Sequence, residues 1–579
     1  MSKKYQTERQ MQADKTLRGG DFKSIREAIE RVAGCYPDNP IFAELNDQKE
    51  IVSMTGREVL EEMMNLGEGL IRSGLQGRHI AIVAENCVRY VMSDITISSG
   101  VGIVTPIDVN APVELLAKLL EKCDATAVMC SSFCLNNLKK AAEIYNGLTS
   151  VITLDRKVDG YPFYEEIVSL GKEVPASESI YRNLTLDVNA PAKILFTSGT
   201  TGANKGVVLT QANLAANTLN CMDVIQATDE NTSMSVLPMH HATEINTHIM
   251  ARVASGRLTY INGNMKDMMT NIKIFKPDFI TIVPMIMNAF YKNIMINVRK
   301  AGKEEKLKKG IKISNLLRKF GIDKTHSMFA DIYAPFGGNL SNIVCGGSML
   351  NPVVIKGMND LGIRVENGYG ITECGPLISM NGNTLTEHLS VGKPCPALEA
   401  KILNPDSDGI GELCIRGNSV AKGYYKDEEA TRQVFGEDGF FNTGDSAWIN
   451  GEGKIFLVGR KKNTIVLENG KNVCPEEVEN VIETRLDYAD EIVVYQADFQ
   501  QGNVKRQVLC AGLYISDEAR RADREAIKED ISRINALLDV YKHIDYVELP
   551  DTAYPKTSTR KIQRRSLPTE CSGNGLQIM

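Results

Sequence analysis

The sequence lacks several features that mark particular classes of protein. Its thirteen cysteines are an odd number, lie scattered between Cys35 and Cys571, and include no CxxC pair. No apolar run reaches the ~18–20 residues that a membrane-spanning helix needs. Basic residues are not in excess, since 66 lysines and arginines stand against 72 acidic residues and the net charge is −6. These absences exclude a disulfide framework, a CxxC zinc site, a membrane-spanning protein and a bulk nucleic-acid binder, and they predict free thiols in a reducing cytoplasm.

The two ends of the sequence predict neither a secretory signal peptide nor a prenylation box. The N-terminal stretch MSKKYQTERQMQADK is polar, unlike a secretory signal peptide, and the C-terminal Leu-Gln-Ile-Met contains no cysteine for prenylation. We therefore expect a cytoplasmic protein without a transmembrane span, and peripheral membrane contact stays open. A monomer and a homodimer are both compatible with the sequence.

The length and composition predict a large globular protein. The chain has 579 residues, too many for one ordinary domain, and ~150 residues per domain would give about four. Apolar residues make up 43% and charged residues 24%, close to the globular average. This composition excludes a disordered chain, a collagen-like fibre and a coiled-coil rod. It predicts a core that needs neither disulfides nor metals.

Short apolar runs alternate with helical patterns in the first half of the chain. Residues 80–83, 102–106 and 127–130 indicate strands, and residues 113–123 indicate a helix between two of them. Such alternation predicts an α/β fold with a largely parallel sheet covered on both faces. The pattern resumes at residues 192–196, which precede a polar, glycine-rich loop.

The pattern changes in the second half of the chain. Residues 300–312 are crowded with lysines and glutamates, and we interpret them as a solvated helical excursion rather than as a partner site. After about residue 385, short runs typical of β-strands dominate. A polar break with three consecutive cations follows at residues 459–463. We place the domain boundary there, with a large domain over residues 1–460 and a small one over residues 461–579.

The densest chemical signal is the loop over residues 197–206, with the sequence Thr-Ser-Gly-Thr-Thr-Gly-Ala-Asn-Lys-Gly. Glycines let backbone N–H groups approach phosphate oxygens, hydroxyls add short donors and a lysine adds a point charge, so the loop predicts a polyphosphate ligand. The order is neither a Walker A loop nor G-x-G-x-x-G. A flexible linker is the alternative, although linkers are seldom so rich in threonine. The candidate ligand-binding residues are Thr197, Ser198, Gly199, Thr200, Thr201, Gly202 and Lys205.

This loop resembles the phosphate-binding motif of the adenylate-forming superfamily, which includes acyl-CoA synthetases, luciferases and nonribosomal peptide adenylation domains. Further motifs of that family follow in the family's order. They are YGxTE at residues 369–373, GEL…RG…GYY at 411–425, TGD at 443–445, the hinge motif at 459–462 and PxTxxGKIxR at 555–564. Arg560 stands where the last motif usually has glycine. Six ordered matches make coincidence negligible, and the chain is most similar to the long-chain fatty acyl-CoA synthetases.

The resemblance implies a fold and a reaction. The fold would be α/β, with a large N-terminal domain of stacked α/β subdomains plus a distorted β-barrel-like subdomain, and a small mobile α+β C-terminal domain. A carboxylic acid would attack the α-phosphate of MgATP to give an acyl-adenylate and pyrophosphate, and the thiol of coenzyme A would then displace AMP. Between the two steps the small domain would rotate about Lys462, removing Lys561 and bringing Gly470 to the thiol tunnel.

The resemblance also assigns roles to single residues. Glu373 would ligate Mg²⁺, with Thr372 beside the α-phosphate, and Asp445 would accept hydrogen bonds from the ribose hydroxyls with help from Arg460. Lys561 would contact both the carboxylate and the α-phosphate and so reduce the repulsion between two anions. The adenine would be contacted by Gly347, Ser348, Asn367, Gly368 and Tyr369.

A group of histidines allows other interpretations. His240, Glu244 and His248 are spaced i, i+4 and i+8, so on a helix they would share a face and could form a zinc triad. No HExxH motif supports zinc. The resemblance instead places His240 in the wall of the acyl pocket, where it would line or gate the pocket as a candidate catalytic residue. A structural histidine at a helix start is the third alternative.

The acid and the acceptor are less determined than the reaction. Residues 291–340 and 468–472 resemble the fatty acyl-CoA synthetase branch, which favours a medium- or long-chain fatty acid. An aryl acid stays open, and an amino acid is disfavoured because no aspartate is placed to bind its amino group. The acceptor is coenzyme A or the phosphopantetheine of a carrier protein. Stand-alone acyl-AMP ligases carry an added segment where only 37 residues separate Glu373 from Gly411 here, which favours coenzyme A. A non-catalytic nucleotide-binding scaffold is a further hypothesis. It is disfavoured because Glu373, Asp445 and Lys561 are all present.

Overall fold

A computed structural model of the protein describes residues 22–197, 204–225, 232–382, 389–468, 470–486, 488–501, 504–556 and 562–578. Its helices are Ile25–Cys35, Gly56–Arg72, Val88–Thr96, Val113–Lys122, Leu135–Ile144, Tyr164–Lys172, Ile180–Asn183, Gln211–Val224, Met250–Ala254, Met268–Phe275, Pro284–Lys300, Glu304–Lys319, Thr325–Met328, Ala330–Tyr333, Pro352–Asp360, Glu428–Val434, Pro475–Glu483, Glu518–Ala522 and Arg524–Asn535, with π-helical segments at Ile97–Val101 and Thr243–Ile249.

The strands, in chain order, are β1 (Pro40–Leu45), β2 (Ile51–Thr55), β3 (His79–Val83), β4 (Ile103–Pro106), β5 (Ala127–Cys130), β6 (Ser150–Thr153), β7 (Pro191–Thr197), β8 (Lys205–Thr210), β9 (Thr232–Ser235), β10 (Leu258–Ile261), β11 (Phe279–Ile282), β12 (Asn342–Gly346), β13 (Arg364–Gly370), β14 (Leu377–Asn381), β15 (Lys393–Pro394), β16 (Leu398–Leu403), β17 (Gly411–Gly417), β18 (Gly423–Tyr424), β19 (Phe441–Ile449), β20 (Ile455–Arg460), β21 (Ile465–Val466), β22 (Asn472–Val473), β23 (Glu491–Gln501), β24 (Val504–Tyr514), β25 (Tyr546–Glu548) and β26 (Leu576–Gln577). The predicted fold class, mixed α/β built from several sheets, is confirmed.

One sheet of seven strands contains the predicted alternation. Its order is β18-β8-β7-β4-β3-β5-β6, and its central strands run parallel. Successive residues of β3 enter different apolar clusters. Ile80 packs in the cluster that includes the helix Gly56–Arg72, and Ala81 packs in the cluster that includes the helix Val113–Lys122. The sheet is therefore covered on both faces, which is why its strands are nearly continuous apolar runs.

The hairpin of β7 and β8 flanks the glycine-rich loop. Thr197 ends β7, Lys205 begins β8, and the two residues are register partners across the antiparallel pair. On the other side of β8, Tyr424 of β18 is the register partner of Val207. The sheet thus brings both ends of the loop close to the GYY motif, which lies more than two hundred residues further along the chain.

The second sheet has nine strands in the order β15-β14-β13-β12-β11-β9-β10-β1-β2. In the order of the sheet, the strands β10, β9, β11, β12 and β13 are parallel to one another. The outer strands β2, β14 and β15 are antiparallel to their neighbours. At the ends of β12 and β13, Gly346 pairs with Gly368. A Cβ atom on Gly346 would lie 2.4 Å from the carbonyl oxygen of Gly368, so this close approach requires glycine.

A third sheet of four antiparallel strands, β16-β17-β19-β20, lies where the resemblance predicts a barrel-like subdomain. Over the ranges that the structure describes, these strands do not close into a barrel. The sheet's contribution to the site is a register pair, because Asp445 on β19 lies opposite Arg460 on β20.

Residues beyond 460 have a sheet and an apolar core of their own. Strands β23, β24, β25 and β26 pair in that order, and the helices Pro475–Glu483 and Arg524–Asn535 pack in the same apolar cluster as the sheet. We call residues 461–578 the C-terminal unit and residues 22–460 the body.

The predicted helical excursion is a pair of helices, Pro284–Lys300 and Glu304–Lys319. The second helix buries Leu307 and Ser314 and leaves most of its other side chains exposed. No helix within the described ranges is both long enough and apolar enough to cross a lipid bilayer.

Candidate active site

Three of the predicted nucleotide-binding residues form one hydrogen-bonded cluster. Tyr369 Oη donates to Asp445 Oδ2 at 2.6 Å, and Arg460 Nε lies 2.8 Å from Asp445 Oδ1. The backbone N–H of Asp445 also donates to Thr443 Oγ1, at 3.1 Å, within β19. Burial, together with the neighbouring Asp445 charge, raises the pKa of Tyr369 well above its usual value, so the phenol remains a proton donor. The carboxylate is thereby held at a defined position, with lone pairs left for further donors.

A second cluster surrounds the predicted metal ligand. Glu373 lies in the 3₁₀ turn Thr372–Cys374 that follows β13, and its side chain is buried. Its Oε1 accepts a hydrogen bond from Tyr424 Oη at 2.7 Å. Lys205 Nζ lies 4.7 Å from the centre of the Tyr424 ring, within the range of a cation–π contact. Tyr424 therefore connects the base of the glycine-rich loop to Glu373.

The two clusters share a buried neighbour. Burial raises the pKa of the Cys374 thiol well above its usual value, and the charges of Glu373 and Asp445 raise it further. Two carboxylates with separate hydrogen-bond partners therefore both lie close enough to Cys374 for their charges to act on its thiol.

Glu373 fits a Mg²⁺ site of the kind that a nucleotide completes. Mg²⁺ prefers oxygen ligands and is commonly held by one or two carboxylates, water and substrate phosphates. Within the described part of the chain, no group of three or more His, Cys, Asp or Glu side chains is placed to hold a metal by itself. Most ligands of such an ion would therefore come from phosphate and water.

The segments predicted to contact adenine lie next to one another. Gly347 and Ser348 follow β12 on an exposed loop, and Gly347 has a φ of 92°, in the left-handed region that favours glycine. Asn367 and Gly368 lie within the neighbouring strand β13, and Asn367 Nδ2 donates to the carbonyl of Ser390 at 3.3 Å. The pairing of β12 with β13 brings the two segments together.

The three residues of the zinc interpretation have separate contacts in the structure. Its Nε2 lies 3.9 Å from Asp108 Oδ2, and its ring is 4.1 Å from that of His241. Burial lowers the pKa of His240, which favours the neutral imidazole. Glu244 and His248 instead contact each other at 3.1 Å inside the π-helical segment Thr243–Ile249. Among the residues that the structure describes, these three side chains do not form a group that could hold a metal ion, so the zinc triad is absent there.

A comparison with known proteins decides the family. A family model described as "AMP-binding enzyme" matches residues 29–425. This chain belongs to the family of AMP-binding enzymes. The resemblance to adenylate-forming enzymes, drawn from the motifs, is thereby confirmed.

Individual members of the family are distant relatives. A chloroplastic long-chain-fatty-acid–[acyl-carrier-protein] ligase of Arabidopsis thaliana is 26% identical, over 90% of this chain and 80% of that protein. Long chain acyl-CoA synthetase 7, a peroxisomal protein of the same plant, is 34% identical, over 50% of this chain and 44% of that protein. Among solved structures, the A domain of a carboxylic acid reductase from Segniliparus rugosus matches with a TM-score of 0.76 and 18% identity, covering 96% of this chain and 94% of that one. The structural match confirms the fold.

Some predicted residues of this AMP-binding enzyme lie apart from the two clusters or outside the described ranges. Lys462 is an exposed residue, and the partial desolvation of its ammonium group, followed by the charges of Arg460 and Arg565, lowers its pKa. Gly470 lies in the turn between β21 and β22 with a φ of 77°. Ser198, Gly199, Thr200, Thr201, Gly202 and Lys561 are outside the residues that the structure describes.

A buried polar network beneath the site was not foreseen from the sequence. Lys193 Nζ donates to Asp94 Oδ1 at 2.5 Å and to Asn246 Oδ1 at 2.9 Å. Asn246 Nδ2 in turn donates to the carbonyl of Gly375 at 3.4 Å, two residues after Glu373. Burial raises the pKa of Asp94, while the Lys193 charge works in the opposite direction. The network connects β7, which leads into the glycine-rich loop, to the turn that contains Glu373.

Each missed residue left some signal in the sequence. Lys193 is the one charged residue of the run Ala-Lys-Ile-Leu-Phe at 192–196, and a lysine in a buried strand needs a paired anion. Tyr424 belongs to the GYY motif, although no role follows from the motif alone. The partners of both residues are distant in sequence and could not be named without the structure.

Proposed function

We propose that this protein is an acid–thiol ligase that activates a medium- or long-chain fatty acid as acyl-AMP and transfers the acyl group to coenzyme A. The observation that carries the proposal is the pair of carboxylate clusters beside Cys374, one suited to a ribose and one to Mg²⁺. The names of the two plant relatives, which describe long-chain fatty-acid ligation and acyl-CoA synthesis, support the choice of acid.

In the proposed first step, the body binds ATP and orients it. Asp445, fixed by Tyr369 and Arg460, accepts hydrogen bonds from the ribose hydroxyls. Lys205 and the glycine-rich loop bind the phosphates. Glu373 would hold Mg²⁺, which would supply positive charge to neutralise the phosphates. The acid carboxylate then attacks the α-phosphate beside Thr372, and pyrophosphate leaves. His240, which burial keeps neutral, lines the acyl pocket without adding a charge to it.

In the proposed second step, the C-terminal unit changes position. Lys561 stabilises the first transition state and is then withdrawn as the chain rotates about Lys462. The turn that contains Gly470 then lines the tunnel through which the thiol of coenzyme A reaches the adenylate. This proposal includes the division of the chain into a domain over residues 1–460 and a mobile domain over residues 461–579.

A carrier protein is the second candidate acceptor. The relative matched over most of its own length is named as a ligase for an acyl carrier protein, whereas the short connection between Glu373 and Gly411 favours coenzyme A. Thioester formation measured with free coenzyme A and with a phosphopantetheinylated carrier protein separates the two. Faster acylation of the carrier at equal concentration would move the assignment to the carrier-protein ligases.

The location of the protein is a separate question. Relatives include a chloroplastic and a peroxisomal protein. The cytoplasmic location predicted from composition therefore stays a proposal, and fractionation of cells that express the tagged full chain tests it.

ATP–pyrophosphate exchange tests the proposed function most simply. We expect isotope exchange to depend on a fatty acid, to rise across a panel from C2 to C18 and to stay at background with amino acids. Exchange supported by an aryl acid alone would change the substrate class. A chain that binds ATP but exchanges pyrophosphate with none of these acids would contradict the ligase assignment.

A further inference from the structure

The helix Glu304–Lys319 and its flanks form a strongly basic segment in an acidic protein. Residues 299–324 contain ten lysines and arginines and three acidic residues, whereas the whole chain has a net charge of −6. The sequence of residues 300–312 by itself predicts a solvated helix. The structure extends the helix beyond Lys312, and the residues that follow change the interpretation.

One face of this helix attaches it to the body. Leu307 and Ser314 are buried, and Arg318 Nη1 donates to the backbone carbonyl of Asn359 at 2.8 Å. These three positions recur at helical spacing, so they lie on a single stripe. The helix is therefore held in a fixed orientation, and the opposite stripe points away from the body.

The outward stripe is apolar. Phe320, which caps the helix, is 74% exposed, Leu316 is 56% exposed and Ile313 is 54% exposed. Spacings of three and four residues place them one above another on the face opposite Leu307 and Ser314. Single exposed apolar residues are common, but three large ones in a row on one helix face mark an interaction surface.

Lysines border this apolar stripe, and the nearby acids are already paired. Glu304 contacts Arg299 at 3.3 Å, and Glu305 contacts Lys308 at 2.9 Å. Four lysines surround the stripe, namely Lys306, Lys309, Lys312 and Lys319. Across the described ranges, none of these four lysines forms a salt bridge. The stripe thus combines exposed apolar side chains with uncompensated positive charge.

We propose that this helix face, defined by Ile313, Leu316, Phe320 and the four lysines around them, binds the surface of an anionic lipid bilayer. Exposed apolar side chains can enter the headgroup region while lysines extend to the phosphates, and this combination typifies helices that lie in the membrane interface. The apolar side chains are each more than half exposed, so they project outward instead of lining a groove for a peptide or protein segment. The observation is independent of the proposed function.

Vesicle co-sedimentation of the full chain tests this surface. The probes are vesicles of phosphatidylcholine alone and vesicles with about 30% phosphatidylglycerol, because each lysine near an anionic surface adds about fivefold to binding. We expect the protein to sediment with the anionic vesicles, to bind the neutral ones weakly and to be released by high salt. The double variants Leu316→Ser with Phe320→Ser, and Lys309→Glu with Lys312→Glu, should each lose at least about tenfold in binding.

Matched substitutions elsewhere on the surface control for general effects. Phe133 is 55% exposed on another part of the body, and Lys528 is exposed in the C-terminal unit. Phe133→Ser and Lys528→Glu should leave vesicle binding unchanged. All four proteins should keep wild-type circular dichroism and wild-type ATP–pyrophosphate exchange with a soluble acid, which shows that they are folded.

Three results would overturn the proposal. The first is a wild-type chain that sediments with neither kind of vesicle. The second is an equal loss of binding in the control variants and in the helix variants. The third is that the helix variants lose affinity for an acidic carrier protein while vesicle binding is absent or unchanged, which would assign the surface to a protein partner.

Discussion

The carboxylate clusters of the body and the contacts of the C-terminal unit are built in different ways. In the body, Asp445 and Glu373 are buried and accept hydrogen bonds at 2.6 and 2.7 Å from buried tyrosines. Two polar contacts of the C-terminal unit with the body are instead made by exposed or partly exposed side chains. Lys292 lies 3.2 Å from Asp490, and Asn288 Nδ2 donates to Glu483 at 2.7 Å.

This difference supports the proposal of a fixed site in the body and a C-terminal unit that moves. Exposed ion pairs contribute about 0–1 kcal/mol each, so contacts such as Lys292–Asp490 can be exchanged for water at little cost. Removing a buried hydrogen-bond donor is more expensive, because the acceptor is left without a partner in a medium of low dielectric constant. We therefore expect nucleotide binding to reside in the body and the chemical step to depend on the C-terminal unit.

Replacing the lysine proposed to enter from the C-terminal unit should give the largest effect. We expect Lys561→Ala to lower ATP–pyrophosphate exchange by about 10²–10³-fold, because a group that stabilises developing charge is removed. Conversion of supplied acyl-adenylate to the thioester should remain near the wild-type rate. Lys528→Ala, an exposed lysine of the same unit, is the control. Equal loss of both half-reactions in Lys561→Ala would remove the argument for two positions of the unit.

Replacing the proposed metal ligand of the body should have the next largest effect. In Glu373→Gln the carboxylate charge is lost while the size of the side chain is kept. We expect half-maximal exchange to need at least about tenfold more Mg²⁺. A titration of exchange against Mg²⁺ measures this directly, and an unchanged midpoint would count against a metal at Glu373.

Removing the hydroxyl that positions Glu373 should have a smaller effect in the same direction. Tyr424→Phe deletes the donor 2.7 Å from the carboxylate, and loss of such an outer hydrogen bond typically costs about tenfold in metal affinity. Tyr425→Phe is a closely matched control, because that hydroxyl donates to Asp124 at 2.7 Å instead. If both variants shift the Mg²⁺ midpoint equally, the effect belongs to the strand and not to the contact with Glu373.

The contacts between the unit and the body should matter least. The double variant Asn288→Ala with Lys292→Ala removes two polar contacts to the C-terminal unit, at Glu483 and Asp490. We expect exchange to change by less than about threefold, in keeping with the small contribution of exposed pairs. A loss of a hundredfold would show that the unit is docked rigidly, and the comparison between the two regions would fail.

The sequence predicts the fold where burial leaves a simple pattern. Residues 80–83 and 127–130 are continuous apolar runs because both faces of a parallel sheet are covered, and both lie in strands. The sequence also predicts which residues belong to the candidate site, because each motif combines glycine with a few polar residues in a fixed order. Asp445 and Arg460 belong to two such motifs, and the structure places them in contact.

Contacts between distant residues could not be predicted in the same way. Lys193 and its partner Asp94 are 99 residues apart, and Glu373 and Tyr424 are 51 residues apart. One sequence carries no information on which polar residues of distant elements meet in the fold. The apolar stripe near Phe320 was missed for another reason, since exposure depends on which face of the helix packs on the body.

The most direct test of the account is the affinity for AMP, measured calorimetrically on two variants of the full chain. We predict that Asp445→Ala weakens AMP binding by at least about tenfold, because the ribose loses a charged acceptor, whereas Lys561→Ala binds AMP within about twofold of the wild type. The contradictory result is that Lys561→Ala loses AMP binding as severely as Asp445→Ala. The nucleotide site would then be shared between the body and the C-terminal unit.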